Sequence, residues 1–223
     1  MSVGGTSIAF RHRSVTDQVA ETLRRMILRR ELPPGQKVTQ DDLAKRMGVS
    51  TMPVREALLR LAAEGLIAAA PNRSFHVVRT TANDVRDVFW VHSILAAELT
   101  RRATLAADDD LVAELSERHA EYMAALGRND RDTMETSNWA FHKAVHEQAA
   151  APKLAIVLRN TLRFFPDFSA DIPGWGELAG TWQKQVLAAV KRGNADKAAE
   201  IAADRVRQAA ELYISHFPFL AEE

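Results

Sequence analysis

The chain has 223 residues, contains no cysteine and carries 29 basic and 29 acidic side chains, so its net charge is zero. The absence of cysteine excludes disulfides, thiolate catalysis and cysteine-bound zinc. No apolar run approaches the roughly 20 residues that cross a bilayer, and residues 1–10 lack the order of a signal peptide, so we expect a cytoplasmic protein without a membrane partner.

The zero net charge conceals two parts of opposite sign. Residues 1–80 hold 13 basic and 7 acidic side chains, so residues 81–223 carry the compensating excess of acidic ones. A basic segment beside an acidic one suggests a nucleic-acid-binding module joined to a second domain. We therefore expect a flexible N-terminus over 1–12, a DNA-binding domain over 13–80 and a second domain over 81–223.

Two helices are predicted in the basic part before its first tight turn. Apolar residues recur at helical spacing over about 15–30, and the Pro-Pro-Gly sequence at 33–35 ends this pattern. A shorter helix follows over about 40–47. Gly48 is a typical glycine at a helix C-terminus.

A third helix and a hairpin complete the basic part. The helix starts at Ser50 or Thr51, tolerates Pro53 in its first turn and closes at Gly65. Two short apolar segments, 66–70 and 75–78, enclose turn residues and predict a two-stranded hairpin. This order predicts a winged helix-turn-helix, with a generic small helical domain as the alternative.

The acidic part is predicted to be helical nearly throughout. Capping residues and apolar spacing place helices at about 81–107, 108–127, 130–150, 152–165, 177–192 and 194–216, with a loop over 166–176. Six antiparallel helices form a bundle that can hold a ligand among inward polar groups. The predicted fold is therefore mostly α: a winged helix-turn-helix with a small β-hairpin wing, then an antiparallel all-α bundle.

Ordered motifs run through residues 13–80. Segment 32–38, LPPGQKV, is similar to a "PG-x-x-L" turn. Segment 48–58, GVSTMPVREAL, preceded by Asp-Leu-Ala at 42–44, is similar to an "LA…GVSRTPVREAL" core, and segments 61–67 and 72–75 continue the match into the wing. On these motifs the basic part resembles the GntR family of transcription regulators.

The acidic part carries three weaker landmarks in a matching order. Asp84-Val85…Val88-Phe89, Phe141-His142 and segment 193–199, GNADKAA, are similar to "DL…DLY", "FH" and "GD-x-x-AA". They resemble the FCD domain of the FadR-like branch of the family. That domain is an all-helical bundle that binds effectors and supports dimerisation.

The resemblance implies that the third helix lies in the DNA major groove, with its N-terminal residues at the base edges. Arg55 is the first candidate for a specific contact, because a guanidinium can bridge the two acceptors of guanine. The other predicted DNA-binding residues lie at the helix start, on the neighbouring helix, further along the third helix and in the wing: Ser50, Thr51, Met52, Pro53, Lys45, Arg46, Arg60, Asn72 and Arg73.

Two considerations qualify this set. The family usually has arginine at the position of Thr51, so either the half-site differs or binding is weaker. A single arginine on a helix is also often only a solvated surface charge.

Many relatives bind a divalent metal in the FCD domain through one aspartate and three histidines. Those positions fall here on Asn138, His142, Gln183 and Arg205. An amide is a poor metal ligand, and arginine stays protonated and cannot be one. We therefore predict no metal and no other cofactor.

The same substitutions suggest a different ligand anchor. Arg205 is expected to replace the metal and bind a carboxylate through a forked pair of hydrogen bonds, with Asn138, Gln183 and His142 as neutral donors. His92 occupies the usual position of an effector-contacting arginine. A salt bridge of Arg205 to Asp204, Glu200 or another carboxylate is the alternative for Arg205, and a hydrogen-bonded core role is the alternative for His142.

These features predict a regulator rather than an enzyme, because no nucleophile–base spacing, phosphate loop or metal set supports catalysis. A homodimer would place two third helices on a near-palindromic operator of double-stranded DNA. A small-molecule carboxylate in the bundle would then change operator affinity, most simply by relieving repression. The alternatives are a constitutive DNA binder with a non-functional pocket, or an enzyme with a DNA-attachment domain.

Overall fold

The computed structural model describes residues 14–70, 74–161, 172–217 and 220. The chain divides between Arg79 and Thr80 into two compact units, which we call the head and the body. The predicted N-terminal segment 1–12 and the turn residues 71–73 lie outside the described residues.

Three helices form the core of the head: α1 (Val15–Leu28), α2 (Gln40–Met47) and α3 (Thr51–Ala63). The bounds of α2 are those predicted, because Thr39 caps its start and Gly48, with φ of 65°, turns the chain at its end. Helix α3 packs against α1 through fully buried apolar residues, among them Leu23, Leu58 and Leu61.

Helix α1 ends two residues earlier than predicted. Arg30 has φ of 55°, in the left-handed region, and the amide of Leu32 donates to the carbonyl of Met26 at 3.1 Å. This turn carries Leu32 back into the core, where it is 3% exposed. Burial of Leu32 therefore accounts for the end of the helix before the prolines.

A small antiparallel sheet supports the three helices. It consists of β1 (Lys37–Thr39), β2 (Ile67–Ala70) and β3 (Ser74–Val77) in the order β1-β3-β2, and Phe75 lies opposite both Val38 and Ala69. The predicted hairpin is present as β2 and β3, whereas β1 is an addition. A three-residue strand with one buried apolar side chain is too short to give an alternating pattern.

The described part of the body contains six helices: α4 (Ala82–Leu105), α5 (Asp109–Arg128), α6 (Arg131–Gln148), α7 (Pro152–Thr161), α8 (Trp175–Lys191) and α9 (Ala195–His216). Helix α9 packs along α4 and also against α8, and α5 packs on α6. Arg86, near the start of α4, donates to Glu211, near the end of α9, at 2.9 Å, so these two helices are antiparallel. The predicted fold class is confirmed.

Several helix boundaries in the body depart from the predictions or cannot be compared with them, and α4 and α6 each end two residues earlier than predicted, at Leu105 and Gln148. The predicted end of α7 and most of the following loop fall in residues 162–171, outside the described ranges. Helix α8 starts at Trp175 instead of Glu177, because Gly174 adopts φ of 81° and serves as its N-cap. Within the described ranges no helix is both long and apolar enough to cross a bilayer.

Candidate nucleic-acid interface and ligand cavity

One face of α3 is exposed along its length. Val54, Ala57 and Leu58 point into the head core, whereas Met52 is 70% exposed and Arg55 is also exposed. The 3.6-residue period of the helix separates these two faces. The exposed face therefore begins at the turn that joins α2 to α3, as a recognition helix requires.

The start of α3 is open to a ligand. Gly48 allows the tight turn after α2, and its amide donates to the carbonyl of Ala44. Ser50 is the N-cap residue, but its side chain makes no capping hydrogen bond. Its hydroxyl is therefore available to a phosphate or a base edge, together with the exposed side chain of Thr51. Pro53, which has no N–H, leaves no amide unsatisfied there.

The predicted phosphate anchors differ in their surroundings. Arg60 donates to Asp17 at 2.5 Å, and Arg46 lies 3.6 Å from Glu31. Lys45 and Arg55 are exposed and form no ion pair with any described residue. Because the head's own carboxylates compete for Arg46 and Arg60, Arg55 and Lys45 are the more available cations for DNA.

The exposed face of α3 also includes Leu59, which is not among the predicted DNA-binding residues. Leu59 is 52% exposed and lies one turn after Arg55, so helical spacing alone places it on that face. Glu56, by contrast, accepts a hydrogen bond from Thr16 of α1 at 2.9 Å, which ties its carboxylate to the head. The predicted wing residues Asn72 and Arg73 lie outside the described residues.

The body contains a small cavity lined by residues of α4, α6, α7, α8 and α9. Three predicted ligand-binding residues, His92, His142 and Arg205, line it together. His146 and Trp182 also line it. The sequence pairs His146 with His142 one helical turn apart, which by itself predicts only a weak site, and the structure places both at the cavity.

The indole of Trp182 organises one wall of the cavity. The ring of His142 stacks on it at a centroid distance of 4.7 Å, and the Arg205 guanidinium carbon lies 4.9 Å from its centroid. Phe141 packs edge-on against it at 5.3 Å from within the core. The sequence makes Trp182 a candidate for a wall or lid of the pocket but favours plain core packing for it, because an aromatic at helical spacing is more often a core residue.

The predicted donors Asn138 and Gln183 are placed differently from His142 and Arg205. The Gln183 side chain is fully buried and donates from Nε2 to Asn138 Oδ1 at 3.0 Å, while its Oε1 lies 3.2 Å from His119 Nδ1. Neither amide is among the residues that line the cavity. The two amides therefore satisfy each other and His119, rather than presenting donors beside Arg205.

The carboxylates expected as alternative partners of Arg205 are engaged elsewhere. Asp204 pairs with Arg207, and Glu200 accepts from Lys197 at 2.9 Å. Arg205 forms no salt bridge with any residue in the described ranges, and its buried Nε has no hydrogen-bond partner there. The same is true of the buried Nε1 of Trp182. Two buried donors of residues that line one cavity thus have no acceptor among the residues that the structure describes.

Burial controls the charges in this cavity. It lowers the pKa of Arg205 to about 10, which still leaves the guanidinium protonated at neutral pH. Burial, reinforced by the charge of Arg205, lowers the pKa of His92 to about 4 and that of His142 well below its usual range. Burial also lowers the pKa of His146. The cavity therefore holds one positive charge and neutral imidazoles at pH 7.

Comparison with known families assigns both units. Residues 15–77 match the model for bacterial regulatory proteins of the gntR family, and residues 87–208, more than half of the chain, match the FCD domain. The chain belongs to the GntR family. The resemblance seen in the sequence motifs is confirmed, and GntR proteins are regulators, not enzymes.

Individual GntR relatives are distant. The transcriptional repressor RspR of Escherichia coli K12 is 27% identical over 135 residues, 60% of this chain and 59% of RspR. The regulator McbR of the same strain is 28% identical over 154 residues, 67% of this chain and 68% of McbR. This chain thus matches only about three-fifths of the length of RspR.

Two solved structures support the same fold. The structure of E. coli McbR/YncC superposes with a TM-score of 0.63 at 24% identity and covers 92% of this chain and 100% of that one. A GntR family member from Pseudomonas syringae pv. tomato, at 23% identity, gives a TM-score of 0.54 over 91% of this chain. At these identities the likeness concerns the fold alone.

The metal that many GntR relatives hold in the FCD domain does not fit the corresponding residues here. A guanidinium occupies one position, and the two amides at Asn138 and Gln183 bond to each other. In the described part of the chain, no three His, Asp or Glu side chains form a group that could hold a metal ion. We assign the cavity no step that depends on a metal.

We expect protein purified without a polyhistidine tag to contain no stoichiometric zinc, nickel or manganese. The physical reason is that Arg205 places a fixed positive charge where a cation would sit. Elemental analysis of the dialysed protein measures this directly. One equivalent of any of these metals, retained through dialysis, would contradict the argument from Arg205.

Proposed function

We propose that this chain is a ligand-responsive transcription regulator that binds double-stranded DNA through its head and a small carboxylate through its body. The main support is the half-buried side chain of Arg205, which lines a cavity, has a fully buried Nε and has no carboxylate partner among the described residues. Taking a lone charge out of water is costly unless a counter-ion accompanies it. A carboxylate ligand supplies that charge and accepts a forked pair of hydrogen bonds.

The head supplies the contact with DNA in this proposal. The exposed N-terminal end of α3 enters the major groove with Arg55 at a base edge, while Lys45 approaches a phosphate. A homodimer places two such helices on a near-palindromic operator in the cytoplasm. The basic excess of residues 1–80 adds attraction to the phosphate backbone, and this attraction weakens with salt.

Ligand binding in the body changes the affinity of the head for the operator. Coupling of this kind is typically worth about 1–3 kcal/mol, which is roughly a 5- to 150-fold change in affinity. We propose relief of repression as the direction, in keeping with the name of RspR, a repressor. The acidic excess of the body would keep it away from the duplex, so that the head makes the contact.

The test starts from an operator selected from random double-stranded DNA by the full chain. We expect fluorescence anisotropy to give an affinity for this operator that falls steeply as salt rises. In a panel of mono-, di- and hydroxycarboxylates, at least one should raise the melting temperature and change operator affinity by roughly 5- to 150-fold. Arg205→Gln should lose both ligand effects and keep its affinity for DNA.

Arg207→Gln is the matched control, because Arg207 lies on the same helix but is exposed and pairs with Asp204. It should respond to the carboxylate as the unaltered chain does. Operator binding that no carboxylate changes would instead indicate a constitutive DNA binder. Failure to select any DNA sequence would contradict the proposed function as a whole.

A further inference from the structure

The ligand cavity is lined by nitrogen-bearing side chains and by no described carboxylate. Arg205 and the imidazoles of His92, His142 and His146 line it, and none of the described lining residues is acidic. The Nε of Arg205 and the Nε1 of Trp182 are buried there without an acceptor in the described ranges. An anion with several acceptor atoms is therefore the ligand that this lining suits.

The hydrogen bonds of His92 fix which of its nitrogens carries the proton. The Thr161 hydroxyl donates to the carbonyl of Leu158 at 2.6 Å, so its oxygen is left as an acceptor. His92 Nδ1 lies 2.7 Å from that oxygen and must be the donor in this bond. A neutral imidazole has one N–H, so Nε2 of His92 carries a lone pair.

No described carboxylate faces His92 and favours its charged form. Helix α9 presents Arg205, α6 presents His142 and His146, and α7 presents the hydroxyl of Thr161. Tyr122 of α5 interacts with Arg205 rather than with His92. Burial, the charge of Arg205 and the proximity of His146 together keep the pKa of His92 low, so the ring is neutral at pH 7.

A bound carboxylate acts on the pKa of His92 in the opposite direction. Its negative charge offsets the repulsion that Arg205 exerts on an imidazolium. Its oxygens are repelled by a lone pair on Nε2 but accept a hydrogen bond from a protonated Nε2. The charged ring keeps its Nδ1–H bond to Thr161, since both nitrogens of an imidazolium are donors.

We propose that the cavity binds its carboxylate together with one proton, which His92 takes from solvent at Nε2. The inference rests on the proposed function and adds to it that His92 binds the ligand as an imidazolium. The N–H bond forms at Nε2 as an O–H bond of a hydronium ion in the solvent breaks and releases water, and no other covalent bond changes. The bound state then holds one proton more than the free state, so affinity rises as pH falls, by at most about tenfold per pH unit.

Acetate is a suitable probe, because it consists of a carboxylate group and one methyl group and stays ionised well below neutral pH. Histidine-selective ¹⁵N NMR of the full chain reports the tautomer and pKa of His92, and the Trp182 indole N–H signal reports acetate binding. In chloride we expect an Nδ1–H tautomer with no titration near neutrality. In saturating acetate, at equal ionic strength, the pKa of His92 should rise.

The affinity for acetate gives a second readout. Its Kd should fall severalfold between about pH 8 and about pH 6 in the unaltered chain. His92→Asn keeps an N–H for Thr161 but cannot be protonated in this range, so its Kd should not change with pH. His76→Asn, in the head, is the control and should follow the unaltered chain.

The outcomes separate this inference from the proposed function. Acetate binding with a pH-independent Kd and an unchanged His92 pKa would overturn the inference alone. Proton uptake that persists in His92→Asn would overturn the assignment to His92. Absence of any acetate effect on the Trp182 signal would overturn the inference, and if no other carboxylate of the panel raised the melting temperature either, the proposed carboxylate cavity would be overturned as well.

Discussion

We expect Arg55→Ala to weaken binding to the selected operator by roughly 5- to 150-fold, equivalent to about 1–3 kcal/mol. Arg55 is exposed on α3 and forms no ion pair with any described residue, so its guanidinium is available to the two acceptors of a guanine. A methyl group in its place leaves those acceptors without a donor. Anisotropy measurements at one fixed salt concentration give the affinity ratio.

The specificity of the Arg55→Ala variant distinguishes a base contact from a phosphate contact. If Arg55 contacts a base, an operator selection repeated with the variant should lose its preference at one position of each half-site. If Arg55 contacts only phosphate, affinity should fall about equally for all sequences and the salt dependence should become less steep. The second result would show that another residue of the head determines sequence preference.

Arg60→Ala is the matched control for Arg55→Ala. It removes the same charge from the same helix, but the Arg60 side chain is already held by Asp17. Its loss should therefore change operator affinity much less than the loss of Arg55. Equal losses would mean that the Arg60–Asp17 pair opens on DNA and that both arginines act mainly through their charge.

The fold was predictable where local chemistry determines it. Thr39 caps the start of α2 and the left-handed Gly48 ends it, and both residue types can be recognised in the sequence. The added strand β1 depends instead on pairing with β3, far away in the chain. Pairing between distant segments leaves little trace in three residues, which is why only the hairpin was predicted.

The same contrast between local sequence features and contacts distant in the chain applies to the candidate sites. The resemblance to GntR proteins located His92, His142 and Arg205, which one cavity brings together. It could not indicate that Gln183 bonds to Asn138 or that Arg60 bonds to Asp17, 43 residues earlier. Such hydrogen-bonded pairs depend on how the helices pack against one another. A motif from relatives that have other residues at these positions cannot predict which side chains pair.

The largest expected effect on stability is that of Phe141→Ala. Phe141 is 0% exposed in the body core and packs edge-on against Trp182 at a centroid distance of 5.3 Å. Truncating a buried phenylalanine removes its transfer free energy and leaves a void, at a cost of about 3–5 kcal/mol. For a domain of this size the melting temperature should fall by roughly 10 °C or more.

Trp139→Ala is the matched control, because Trp139 lies on the same helix, two residues earlier, and is 63% exposed. Its visible contact is with the Lys143 ammonium, 5.6 Å from the ring centroid, and an exposed cation–π contact contributes only about 0.5–1 kcal/mol.

All four tryptophans, at 90, 139, 175 and 182, lie in the body, so intrinsic fluorescence follows unfolding of the body alone. Phe141→Ala should shift that transition strongly and Trp139→Ala slightly. Because Phe141 supports the Trp182 wall of the cavity, Phe141→Ala should also weaken acetate binding at temperatures where the body is still folded. Similar shifts in the two variants would contradict the assignment of Phe141 to the body core.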